Sequence, residues 1–79
     1  MRVRVEITRR PEIADPEGNT IRRALRDLGH RVSEVRVDRV IHLDIEGDDR
    51  AEITAAAEKM CREVLANPVL EDFTIEVPS

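Results

Sequence analysis

Val35-Arg36-Val37-Asp38-Arg39-Val40-Ile41-His42-Leu43-Asp44-Ile45 is the stretch on which the fold turns. Val35, Val37, Ile41, Leu43 and Ile45 all fall at odd positions, the period-2 pattern of strands with one buried face. The run is longer than the usual strand of about five or six residues. The polar pair Asp38-Arg39 in its middle reads as a turn joining two strands, although no glycine defines the turn type. A single long bent strand is the competing reading.

Upstream, Val3, Val5 and Ile7 alternate with Arg2, Arg4, Glu6 and Thr8, and Pro11 ends this first strand. Asp15-Pro16-Glu17-Gly18 then offers a capping Asp, Pro at the first helical position and an acid in the first turn. Ile21, Ala24, Leu25 and Leu28 recur at helical spacing before Gly29, which predicts a helix over 16–28. Downstream, Asp49-Arg50-Ala51-Glu52 has capping-box spacing. Behind it, Ile53, Ala56, Ala57, Met60, Cys61, Val64 and Leu65 form the clearest helical stripe of the chain, stopped by Asn67-Pro68. Phe73, Ile75 and Val77 mark a last strand.

The order β-α-β-β-α-β, in one domain over 1–79, is that of the ferredoxin-like α+β fold: a four-stranded antiparallel sheet with two helices on one face. The phases predict burial of Ile21, Leu25, Leu28, Ile53, Met60, Val64 and Phe73. The opposite sheet face would show Arg2, Arg4, Glu6, Arg36, His42, Asp44, Thr74 and Glu76, which is charged throughout.

Composition narrows the function. A 9.0 kDa chain hides only about 60% of its unfolded surface on folding. Small domains commonly supplement such a core with disulfides, metals or partners. Cys61 is the only cysteine, and with His30 and His42 it makes a poor zinc ligand set, so partners remain. The net charge of −4 is uneven: residues 1–39 hold ten arginines against seven acids, residues 40–79 three basic residues against ten acids. An acidic chain whose one aromatic residue is Phe73 lacks both the charge and the stacking platform for nucleic acid. No apolar run approaches the about 18 residues that span a bilayer. The alternating start Met1–Glu6 does not read as a signal peptide, and one free thiol points to the cytoplasm.

Candidate chemistry is thin. Cys61 sits inside the apolar stripe, where a thiol packs rather than attacks. His30 follows the first helix, and His42 falls on the polar strand face. Asp44, Glu46, Asp48 and Asp49 cluster in sequence without the order of a calcium loop. Gly18, Gly29 and Gly47 are too far apart for a phosphate cradle. Arg22, Arg23 and Arg26 make a basic stretch on the first helix, either solvated or facing an acidic protein surface. No residue is assigned a catalytic, cofactor-binding or metal-binding role.

Several stretches carry a family resemblance over nearly the whole chain: Asp15-Pro16-Glu17-Gly18 with Ile21 to Leu25, Val35-Arg36-Val37, Ile41 to Glu46, and above all Met60 to Phe73. That last run follows Leu-Ala-Asn-x-Val-Ile-Glu-Asp-aromatic in order and spacing. The sequence resembles the small PurS-type subunit of phosphoribosylformylglycinamidine synthase, an enzyme of purine biosynthesis. The resemblance implies a chain without catalytic groups in a three-protein ligase. A large PurL-type synthetase uses ATP and magnesium, a PurQ-type glutaminase delivers ammonia, and the small subunit bridges them. Thin burial, open edge strands and the opposite charges of the two halves predict at least a homodimer, or a tetramer. Expected partner contacts are Asp15, Pro16, Glu17, Gly18, Asn67, Pro68, Val69 and Leu70, as loops held at helix ends, with Arg22, Arg23 and Arg26. Two alternatives share the element order. An ACT-like small-molecule sensor would want a glycine-rich ligand loop after the first strand. An acylphosphatase-like enzyme would pair Arg9 and Asn19 with a phosphate cradle.

Overall fold

The alternation of Val3, Val5 and Ile7 becomes the centre of the molecule. The computed structural model describes residues 1–78. Its elements are β1 (Arg2–Arg9), α1 (Pro16–Asp27), β2 (Arg39–Asp44), α2 (Arg50–Met60), a π-helical turn continuing α2 (Cys61–Leu65), and β3 (Glu71–Glu76). β1 pairs antiparallel with both other strands, giving the order β2-β1-β3. The register sets Val5 between Ile41 and Ile75, and Ile7 between Arg39 and Phe73. Val3, Val5 and Ile7 are buried against Ile53, Ala57 and Cys61 of the long second helix. Ile41, Leu43, Ile45, Phe73, Ile75 and Val77 flank this core half-buried. The opposite face is charged, with Arg4 paired to Glu6 at 3.1 Å and to Glu76 at 3.4 Å, but Arg36, expected on it, belongs to no strand.

The sheet has three strands, which corrects the expected four. Asp38-Arg39 is not a hairpin turn. Arg39 is already the first residue of β2, and neither residue has the positive φ of two-residue hairpin turns. Val35–Val37 joins no ladder, and two contacts hold it away from the sheet. The Val37 N–H donates to Asp15 Oδ2 at 2.7 Å. The Arg36 guanidinium donates to the Arg9 and Arg10 carbonyls at 3.1 and 3.2 Å. Gly18 lies so close to the Val35 carbonyl oxygen that a Cβ there would overlap it.

α1 starts and stops where its signals say. Asp15 accepts from the Gly18 N–H at 2.9 Å, and Pro16 opens the first turn. At its end Gly29, at φ 93°, allows the His30 N–H to reach the Leu25 carbonyl and the Gly29 N–H that of Arg26, a Schellman closure. Its apolar stripe, however, does not pack on the sheet. Ile21 is 39% and Leu28 76% exposed, Leu25 is half-buried, and none joins the core, against the burial expected of all three. The shape follows from this. The chain measures 50 × 24 × 15 Å with a Cα radius of gyration of 16.0 Å. A compact chain of this length would have a radius of about 12 Å.

Met60 and Val64 also fall outside the core, at 37% and 81% exposure. Ile53, Ala57 and Cys61 repeat every four residues and stay buried. From Cys61 the Ala66 N–H bonds to the Cys61 carbonyl at 2.9 Å, an i→i+5 link that widens the turn and carries Val64 outward while Leu65 faces in.

Ile7→Ala should therefore cost about 2–5 kcal/mol in urea unfolding. Val64→Ala, on the helix the sequence pattern would bury, should stay within about 0.5 kcal/mol. Equal losses at the two sites would contradict the π turn.

Candidate partner interface

The two stretches that carry the resemblance most strongly meet at one end of the sheet. Each is fixed there by a carboxylate. Asp15, only 5% exposed, caps α1 and holds Val37 at once. The Val37 and Gly18 N–H groups, helped by the charges of Arg36 and Arg9, hold its carboxyl below the usual aspartate range despite burial. Glu71 does the same for the loop before β3. It accepts from Arg39 in a fork at 2.7 and 3.0 Å and from the Asn67 N–H at 2.9 Å. Arg39 first, then the Asn67 N–H, depresses its carboxyl below the ordinary 4.5. The same fork raises the Arg39 guanidinium, which also donates to the Leu65 carbonyl at the end of the π turn, 2.9 Å away.

The Asn67–Leu70 loop is thereby rigid. Asn67 Oδ1 accepts from the Val69 N–H at 3.0 Å, and its carbonyl takes the Glu71 N–H at 2.8 Å. Arg10 donates to the Pro68 carbonyl at 2.8 Å and pairs with Asp72 at 3.3 Å. Val69 is left 71% exposed on top of this scaffold. Between the two stretches lies an open hollow of about 310 Å³ whose walls include Arg9, Asp15, Pro16, Glu17, Arg39 and Glu71.

The structure thus brings Asp15, Pro16 and Glu17 together with the base of the Asn67–Leu70 loop. Gly18 is buried beneath them, against Val35. Arg22, Arg23 and Arg26 are not part of the hollow. They lie further along α1, where Arg26 donates to the Val32 carbonyl at 3.1 Å and holds the loop behind the helix. Arg39 and Glu71 were missed as site residues. Both are odd-numbered positions in strands whose odd positions face inward, and a charge at an inward position calls for a partner of opposite sign.

The arrangement positions surfaces and offers no reacting atom. Cys61 is fully buried and its thiol is pushed up by that burial, only partly countered by Arg62. His30 and His42 are exposed. Among the described residues no three His, Cys, Asp or Glu side chains group to hold a metal ion, and no helix is long and apolar enough to cross a membrane.

Comparison with known proteins decides the family. The model of the PurS family, phosphoribosylformylglycinamidine (FGAM) synthase, matches residues 2–79. The chain belongs to the PurS family. Among curated PurS subunits, that of Methanocaldococcus jannaschii is 41% identical over 66 residues, covering 82% of this chain and 80% of its own length. The crystal structure of Bacillus subtilis PurS superposes with a TM-score of 0.88 at 32% identity, covering 99% of this chain and 98% of that one. A chain in the structure of PurLQS from Thermotoga maritima superposes at 0.84, with 32% identity over 95% and 93% of the two chains. PurS is a small subunit of FGAM synthase, and the chemistry of that enzyme resides in other subunits.

The depressed carboxyl of Glu71 sets a pH dependence. Its contribution to stability is complete above the ordinary glutamate value of 4.5 and is lost as pH falls through the lower folded value. Glu71→Gln should lower the neutral-pH melting temperature and flatten the loss of stability as pH falls below the ordinary glutamate value of 4.5. An acid titration identical in slope for the two proteins would show that the fork to Arg39 carries no weight.

Proposed function

We propose that this chain is the non-catalytic adaptor of an FGAM synthase, bridging an ATP- and magnesium-dependent synthetase and a glutaminase so that ammonia passes between them in the cytoplasm. The observation that carries the reading is the match over 95% of the chain to a subunit of the Thermotoga PurLQS assembly, a structure in which PurS accompanies PurL and PurQ. The fully buried Cys61 thiol and the exposed histidines fit a subunit that positions partners. Membership in the PurS family leaves the small-molecule-sensor and acylphosphatase alternatives without support.

The contacts with the larger subunits are assigned to the end of the molecule that holds Asp15–Gly18 and Asn67–Leu70. Rigid loops lose little entropy on docking, and the exposed Val69 offers an apolar anchor there. The chain acts as a homodimer, in which Arg22, Arg23 and Arg26 meet the acidic second half of the other copy.

Reconstitution tests this. With a synthetase and a glutaminase of the same family, the chain should restore glutamine-dependent FGAM formation, and alone it should hydrolyse neither glutamine nor ATP. Cys61→Ala should support the same turnover within about twofold, with at most a modest loss of stability. An assembled Cys61→Ala complex without activity, or synthase activity indifferent to the chain, would overturn the adaptor role.

A further inference from the structure

Arg9 is the last residue of β1 and shares the inward phase of the buried Val3, Val5 and Ile7. A half-buried guanidinium calls for an acceptor. Among the described residues, however, the Arg9 side chain makes no hydrogen bond and no ion pair. The arginines around it are all engaged: Arg10 with Pro68 and Asp72, Arg36 with the Arg9 and Arg10 carbonyls, Arg39 with Glu71. The two carboxylates beside it direct their oxygens elsewhere. Asp15 accepts from the Gly18 and Val37 N–H groups, and Glu71 from Arg39 and the Asn67 N–H. Arg9 acts on both through its charge alone, which helps to hold each carboxyl below its usual range. It borders the hollow of about 310 Å³ between them and a second one of about 390 Å³ on the side of Arg36 and Asp72. Glu17 and Asp38 line the first hollow too, exposed and unpaired among the described residues.

We propose that the hollow receives a segment of a larger subunit that carries an acidic side chain next to a basic one: the carboxylate forks onto Arg9, and the basic neighbour meets Glu17 and Asp38. The proposal rests on the adaptor role of the preceding section and names the chemistry of the partner at the end of the molecule assigned there. Charge selects this occupant. A guanidinium presents its donors in a planar fork that fits a carboxylate. An acid alone would be repelled by the exposed Glu17 and Asp38, and a base alone by Arg9, so each sign is admitted only in the company of the other. The walls are fixed before docking, since Asp15 and Glu71 are already held by backbone N–H groups, which keeps the ordering loss on association small.

Titration of the full chain into a synthetase and a glutaminase of the same family, across a salt series, tests the hollow. The quantity read is the chain concentration that gives half-maximal FGAM formation. Arg9→Met should raise it roughly 30-fold or more and make it less sensitive to salt than in the wild type. The far-UV signal and the sedimentation of the lone variant should stay those of the wild type. Arg9→Lys keeps a cation beside Asp15 and Glu71 but loses the fork, and should shift the value in the same direction by less. It is measured in parallel in case Arg9→Met loses its fold. Glu17→Gln with Asp38→Asn should raise the value about two- to fivefold. Unmoved values in both Arg9 variants would overturn the proposal. So would tighter assembly from Glu17→Gln with Asp38→Asn, the result that a purely acidic occupant gives. Arg9 variants whose lone chains change oligomeric state would place a second copy in the hollow and overturn it as well. Wild-type activity with unmoved Arg9 variants sinks the hollow and leaves the subunit assignment standing, whereas a wild type that restores no activity sinks the assignment and the hollow with it.

Discussion

The carboxylate of Asp15 accepts one N–H from the first turn of α1 and another from Val37, twenty-two residues on. This shared acceptor ties the root of the helix to the extended segment that leads into β2. With the Arg36 guanidinium on the carbonyls of Arg9 and Arg10, it holds that segment against the end of β1 and the residue after it. A buried carboxylate holding two backbone donors is stabilised in its ionised form, and the donors are spared an unpaired burial. The start of α1, the course of the segment before β2 and one wall of the hollow depend on where this one side chain sits.

The cost of that arrangement is a small core. Among the described residues six apolar side chains are buried, three from β1 and three from the long second helix. A sheet of three strands covered by one helix leaves its flank half-wet, and a helix directed away from the sheet leaves its stripe bare. PurS chains act within a multi-subunit enzyme, and a protomer with incompletely buried faces is suited to that life. The apolar surface that a self-contained domain would spend on its own core is available for association.

Charge is arranged by the same logic at the top of the sheet. Arg39 and Glu71 occupy inward positions on strands that are not neighbours, and their fork closes over the end of β1. The pair links β2 to β3 across the end of the sheet, with Arg39 still half exposed. Through Asn67 it also stiffens the loop whose sequence is the most family-like part of the chain. Arg10, just beyond β1 and anchored to Pro68 and Asp72, supports that loop from its other side.

Local chemistry in the sequence determined much of this. The phases of Val3, Val5 and Ile7 and of Phe73 and Ile75 fix which strand faces turn inward. Asp15, Pro16 and Gly29 fix the ends of α1, and Asp49 and Asn67-Pro68 those of the second helical run. Cys61 was legible as core from its place in the stripe, and the run Met60–Phe73 was legible as PurS-like. Each of these depends on residues within a few positions of one another. What the tertiary structure alone decided is which surfaces meet. Alternation at Val35 and Val37 specifies an extended chain with two unlike faces but names no neighbour, and a carboxylate twenty-two residues away took the Val37 amide. Helical spacing gave Ile21, Leu25 and Leu28 a common face without giving that face a sheet to cover. The i→i+5 bond from Ala66 to Cys61 then rotated Val64 out of a stripe that sequence spacing had drawn straight through it. Periodicity reports the shape of a segment, and the partner of that segment is chosen by long-range hydrogen bonds that a linear pattern does not contain.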